Sequence, residues 1–307
     1  MKRFQFVFIP FLIFLFSFQL SFAQNDSLVL LKKKIEQIIS QKNSVVGVSI
    51  IGNNGRDTLS ILGDKKFPMQ SVFKFHIALA VLDLVDKGKL SLDQTVKVGK
   101  KDLMTSGFWS PLRDENPNGG SFTIEKLIQY AVSHSDNTAC DVLIKLVGST
   151  KDVEKYFKKN NIQDIQITYN ERDMQAKWEN MFQNWTTPKA ASKTMMLFYE
   201  KENNPISKNS YFVFWRTNFE TTTGEKRIKG KLPVGTHVAH KTGWSGTNKE
   251  TGITAAVNDI GIVVLPNDQH FYISVFITES KENFDSNEEL IADIAKAAYD
   301  YFVNLKK

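Results

Sequence analysis

The chain has 307 residues, 42% of them hydrophobic, enough to bury a large core as one domain or two closely joined ones. Its net charge of +6 is spread over short runs such as Lys32-Lys33-Lys34 and Lys158-Lys159, with no interleaved aromatics, which excludes a nucleic-acid groove. Cys140 is the only cysteine, so an internal disulfide is excluded too, and its apolar neighbours mark it as a small core residue.

Lys2 and Arg3 precede an apolar stretch from Phe4 to Phe18, and Ser21-Phe22-Ala23 puts small residues where a signal peptidase reads. This predicts a signal peptide over residues 1–23, cleaved after Ala23, and a periplasmic protein with no membrane anchor. Leu28 to Ile39 has helical apolar spacing. Residues 45–51 and 57–61, separated by Asn53-Asn54-Gly55, read as a β-hairpin. From Ser71 to about Asn218 the pattern is helical, with Thr123, Ser149 and Thr187-Pro188 as start signals. Strands return over 236–240, 251–265 and 270–278, the last pair turned by Pro266-Asn267-Asp268. A capping-box pattern at Ser286-Asn287-Glu288-Glu289 then opens a final helix with Leu290, Ile294, Ala297, Ala298, Tyr301 and Leu305 on one stripe. Strands and a helix at both ends around a helical middle predict an α/β plus all-α fold. Residues 24–66 and 219–307 form the sheet domain, and 67–218 an inserted helical domain. The cleft between them is the expected site.

Three short motifs occur once each and in order: Ser71-Val72-Phe73-Lys74, Ser135-Asp136-Asn137 and Lys241-Thr242-Gly243. Singly they are weak; the ordered set is specific. Ser71 opens a helix and Lys74, three residues on, shares its face. A serine hydroxyl needs a base to become a nucleophile, and an amine serves only when neutral, a state favoured by burial and by a second cation nearby. Unpaired N–H groups at the helix start suit developing negative charge. Ser207-Lys208-Asn209 also fits SxN, but it falls late in the helical stretch and is discarded as a helix start. His76, His134, His237, His240 and His270 are scattered, with no HxH or HExxH set, so they read as satisfied structural groups. No metal and no cofactor are expected.

On SxxK, SDN and KTG the chain resembles the class A serine β-lactamases, from about Asp26 to the C-terminus. The resemblance implies a β-lactamase/transpeptidase-like fold with an antiparallel sheet, and a monomeric hydrolase of penicillins and cephalosporins acting through an acyl-enzyme on Ser71. It assigns Lys74, Ser135 and Glu171 to proton movement, and the backbone N–H groups of Ser71 and Trp244 to the oxyanion hole. Lys241 and Thr242, with Gly243 completing the motif, would bind the substrate carboxylate, helped by Ser245 and Arg227. Asn137 would meet the substrate side-chain carbonyl, and Trp109 would form an aromatic wall. Asp136 is expected to be structural. Glu171-Arg172-Asp173-Met174-Gln175 resembles the family's Ω-loop pattern ExxLN, with Gln175 as the amide beside the water that Glu171 activates. Either Lys74 or Glu171 takes the first proton.

Tyr169 and Asn184 stand where most members place an ion pair, which predicts a differently folded or wider loop. Gln70, Trp109 and Asn184 together resemble the extended-spectrum, cephalosporinase-leaning branch. A D,D-peptidase or a non-catalytic β-lactam sensor would share the first three motifs. Glu171 and the absence of an apolar span in the mature sequence favour the hydrolase.

Overall fold

The computed structural model describes residues 27–202 and 204–305; the expected signal peptide, with its cleavage after Ala23, lies outside the described residues. Helix α1 spans 27–40 and buries Leu31 and Ile35 from its apolar stripe. Strand β1 (Val45–Gly52) then turns through Asn53 and Asn54, both at positive φ, into β2 (Asp57–Ile61). Asparagine tolerates the left-handed region because its short amide bonds locally, so the expected hairpin closes there.

Strand β3 (Phe67–Pro68) delivers the chain to α2 (Phe73–Asp86), whose residues 73 to 82 are all buried. A helix apolar on every side belongs at the centre of a core. Around it lie the ribbon of β4 (Thr95–Val98) and β5 (Gly120–Thr123), with α3 (Pro111–Glu115) between them, then α4 (Ile124–Val132), α5 (Asn137–Val147) and α6 (Thr150–Lys159). Next come β6 (Ile165–Gln166), α7 (Glu171–Met174) and β7 (Trp185–Thr186). Strand β7 pairs with both β6 and β3, which ties this loop to the strand just before Ser71. Helices α8 (Pro188–Tyr199) and α9 (Lys208–Phe219) complete the helical stretch. Thr123, Ser149, Thr187 and Ser207 each cap their helix by accepting a backbone N–H three residues on.

Strands β8 (Val238–Trp244), β9 (Val257–Val264) and β10 (His270–Thr278) join the hairpin in an antiparallel sheet of order β2-β1-β10-β9-β8. Helix α10 (Phe284–Asn304) closes the fold. The sheet is the middle of three layers, and β10 shows why. Phe271, Ile273, Val275 and Ile277 pack with α1 and α10, while Tyr272 and Phe276 face the helical part. Each large side chain so buried contributes about 1.5–3 kcal/mol. Helix α8 lies on the second face against β1 and β10. It comes close at Gly47, where a Cβ would stand 2.8 Å from Pro188 and 2.3 Å from Phe67.

Several boundaries differ from expectation: the strand expected over 236–240 runs from Val238 to Trp244, and Ser71, expected to open a helix, lies in a short turn before α2 starts at Phe73. The strand expected from Thr251 starts at Val257, because Asn248 Oδ1 accepts the N–H groups of Glu250 and Thr251 and holds them in a turn. Helix α10 is capped by Asn283, three residues before the Ser286 capping box; Ser286 is a first-turn residue whose N–H bonds the Asn283 side chain. Leu305 falls just past its end.

Candidate active site

Ser71 lies in a single 3-10 turn, Gln70–Val72, between β3 and α2. Gln70 there has φ of 47°, a costly conformation for a residue with a Cβ. Three neighbours hold it. The Asn184 carbonyl accepts the Met69 N–H at 2.8 Å, and the Asn258 side-chain amide on β9 donates to the carbonyls of Pro68 (2.8 Å) and Met69 (3.1 Å). Strand β8 presses in at Gly243, where a Cβ would sit 2.4 Å from the Met69 carbonyl oxygen, so only glycine allows the approach.

At the second residue of α2, the fully buried Lys74 Nζ reaches four oxygens: Ser71 Oγ at 2.9 Å, the Ser135 carbonyl at 2.7 Å, Asn137 Oδ1 at 2.6 Å and Glu171 Oε1 at 2.8 Å. Glu171 Oε1 in turn stands 3.4 Å from Ser71 Oγ. Nucleophile, amine and carboxylate, from the 3-10 turn, α2 and α7 in that order, therefore meet at one point. A buried charge is tolerated only when paired in this way.

Ser135, also at positive φ, occupies the turn between α4 and α5, and its Oγ accepts from Lys241 Nζ at 2.9 Å. Burial, followed by the nearby Lys74 charge, pushes the Lys241 ammonium well below its usual range, which eases proton release toward Ser135. Asp136 builds the turn: it caps α5 through Ala139 N–H and also accepts from Ser110 Oγ and Leu112 N–H. Burial raises its carboxyl. Thr242 Oγ1 meets Thr223 Oγ1 at 2.7 Å at the cleft edge.

Glu171 opens α7 under three controls. Its backbone N–H, and that of Arg172, donate to the two oxygens of Asp141 at 2.7 and 3.2 Å, and Gln175 Nε2 donates to Glu171 Oε2 at 2.8 Å. Burial, and then the Glu171 charge, push the Asp141 carboxyl up to about 7. Asp141 was not among the residues the motifs single out. It lies four residues after Asn137 on α5, hence on the same face, and that spacing was the available signal. Asn258, deep in β9, carried no sequence signal.

Where the sequence lacks the ion pair at Tyr169 and Asn184, the loop closes differently, through a neutral clasp. Buried Asn184 accepts the N–H groups of Thr168 (2.8 Å) and Tyr169 (2.9 Å) and donates to the Tyr169 carbonyl at 2.8 Å. Asn184→Ala would leave three part-buried backbone groups without their partner, at no more than about 1–3 kcal/mol each before relaxation. The thermal midpoint should fall by about 5–10 °C in scanning calorimetry. An unchanged midpoint would remove the clasp from this account.

The cleft encloses about 740 Å³ above Ser71, Ser135, Asn137, Glu171 and Gln175. Trp109, 59% exposed, walls one side, its Nε1 bonded to the His134 carbonyl at 2.8 Å; Trp244, 53% exposed, walls the other. Ser245 Oγ donates to the Gly246 carbonyl at 2.7 Å and accepts the Ala256 N–H at 3.0 Å, so its hydroxyl is engaged within its own loop. Arg227 reaches the cleft edge with most of its donors committed: Nε to Glu288 at 3.1 Å, and Nη1 to the carbonyls of Gly243 (3.1 Å) and Asn258 (2.8 Å). It braces β8 against β9 and α10 from behind.

Among the described residues no group of three or more His, Cys, Asp or Glu is placed to hold a metal ion. Buried His240 pairs with Asp259 at 3.0 Å. His76 packs against Phe75 and Phe157 in the core, and burial lowers its pKa to about 3, opposed by a hydrogen bond to the Val72 backbone. Cys140 is buried, as expected of a core residue, and burial raises its thiol.

A family model described as "Beta-lactamase enzyme family" matches residues 30–302. The chain is 48% identical over 289 residues to Beta-lactamase VEB-1 of Pseudomonas aeruginosa, covering 94% of this chain and 95% of that protein. It is 41% identical to Extended-spectrum beta-lactamase PER-1 of the same organism, covering 94% and 91%. Among solved structures, TLA-1 extended-spectrum β-lactamase superposes with a TM-score of 0.87 at 44% identity, over 91% of this chain and all of that one.

Proposed function

This chain belongs to the class A β-lactamases, serine enzymes that open the lactam ring through an acyl-enzyme, and we propose that Ser71 is the nucleophile of an extended-spectrum member. The observation that carries the assignment is the meeting of Ser71 Oγ, Lys74 Nζ and Glu171 Oε1 within 3.4 Å of one another. As Ser71 Oγ bonds to the lactam carbonyl carbon, its proton passes to the Lys74–Glu171 pair. The oxyanion is held by the N–H groups of Ser71 and Trp244. The carbon–nitrogen bond then breaks, the ring nitrogen takes a proton through Ser135, and the proton taken from Ser71 passes on from the Lys74–Glu171 pair to make good that loss, which leaves Glu171 a carboxylate again. Glu171, steadied by Gln175 and Asp141, next removes a proton from a water that attacks the acyl carbonyl, and Ser71 is restored.

Substrate is oriented by Lys241 and Thr242, which take its carboxylate, and by Asn137, whose Nδ2 stays available while its Oδ1 receives Lys74. Ser245, Trp109 and Gly243 shape the same cleft. No helix among the described residues is long and apolar enough to cross a membrane. Export to the periplasm, and action there as a monomer, complete the proposal. Purified protein given a chromogenic cephalosporin should perform many turnovers per molecule, with a transient mass adduct on Ser71. A single stoichiometric burst would overturn hydrolysis in favour of a penicillin-trapped peptidase or sensor.

A further inference from the structure

The oxyanion role uses only the backbone of residue 244 and leaves its large indole unassigned. That indole is 53% exposed and lines the cleft, yet it is fixed from behind: its ring centroid stands 4.8 Å from that of Phe284, the first residue of α10. The Arg227 guanidinium lies 5.5 Å from the Phe284 ring on a further layer, its charge met by Glu288 at 3.1 Å. The result is a supported aromatic shelf whose backing is electrically balanced.

Its position follows from the strand. Side chains two residues apart on a strand share a face, about 7 Å from one another. Trp244 is therefore the same-face neighbour of Thr242, the carboxylate contact. In a β-lactam the carboxylate sits on the second ring; a penicillin carries two methyl groups on the carbon beside it, while a cephalosporin carries an unsaturated carbon bearing a variable substituent. The shared face with Thr242 puts the indole within reach of a flat group projecting from that carbon. We propose that the Trp244–Phe284 pair is a specificity-determining stacking surface for aromatic substituents on the carboxylate-bearing ring of cephalosporins. This rests on the hydrolase reading given above.

The test compares two cephalosporins with the same acyl side chain, one bearing a pyridiniummethyl group beside the carboxylate-bearing carbon and one a methyl group. The readout is the ratio of their kcat/KM values, which reports steps through acylation, so the different reactivities of the two compounds cancel between parent and variant. Aromatic stacking of this kind is worth about 0.5–1.5 kcal/mol, or roughly 2- to 10-fold, with a further cation–π contribution for the pyridinium. Trp244→Ala keeps the backbone N–H and should lower the ratio about 3- to 10-fold; Trp244→Phe should restore most of it. Phe284→Ala leaves residue 244 in place and should move the ratio the same way by less. A ratio unmoved within twofold in both alanine variants overturns the shelf alone. A parent that turns over neither compound overturns the hydrolase reading, and the shelf with it.

Discussion

Glu171→Gln should convert a turnover enzyme into an acyl trap. The carboxylate stands beside Ser71 Oγ, supported by Lys74 on one oxygen and Gln175 on the other. An amide in its place keeps the volume and one acceptor for Lys74 but cannot take a proton from water. General-base catalysis of this kind is worth about 10²–10⁴ in rate, so steady turnover of a chromogenic cephalosporin should fall by about that factor. The first equivalent should still react, visible as a burst of one product per enzyme and as a persistent adduct in the intact mass spectrum. Glu171→Ala should trap as well, with a lower thermal midpoint because Lys74 loses its buried counter-ion. Adduct lifetimes equal to those of the parent would remove Glu171 from deacylation and leave it a structural partner of Lys74.

Much of this site is legible in the chain because its chemistry is concentrated in local patterns. Lys74 follows Ser71 by one helical turn, Asn137 follows Ser135 across a cap, and Gly243 follows Lys241 along a strand, so spacing alone carries their mutual geometry. What is not legible is whatever holds those local pieces together. Asn258 secures the Ser71 turn from a strand 187 positions further on, and nothing around it in the chain signals that. Asn184 is a second case. The missing ion pair is legible, but not that one buried amide satisfies three backbone groups in its place with no charge to desolvate. Arg227 shows a third: its place near the carboxylate site is legible, whereas its commitment to Glu288 and two carbonyls depends on α10 packing against β9. The helix starts at Thr123, Ser149, Thr187 and Ser207 are readable because each cap is a contact spanning three residues. At Ser286 the same reasoning slipped by a few residues, since Asn283 offers an equally good cap and leads more directly from β10.

Lys74→Ala should damage both chemistry and folding, and the two effects separate by experiment. With the ammonium gone, Ser71 Oγ loses the group 2.9 Å away that takes or relays its proton, and acylation should slow by about 10³–10⁴, seen as loss of the rapid first turnover in stopped flow. Glu171 is left as a buried carboxylate without its counter-charge, and breaking a buried pair from one side costs about 3–5 kcal/mol. For a chain of this size that lowers the thermal midpoint by about 6–20 °C. Lys74→Arg tells the roles apart. Arginine keeps the charge that Glu171 needs, so the midpoint should recover much of the loss, but a guanidinium does not give up its proton in this pH range and its fork does not fit the four oxygens that meet Nζ. Acylation should therefore stay slow. If arginine restored the burst, positive charge alone would suffice at position 74, and Glu171 would have to accept the Ser71 proton by itself.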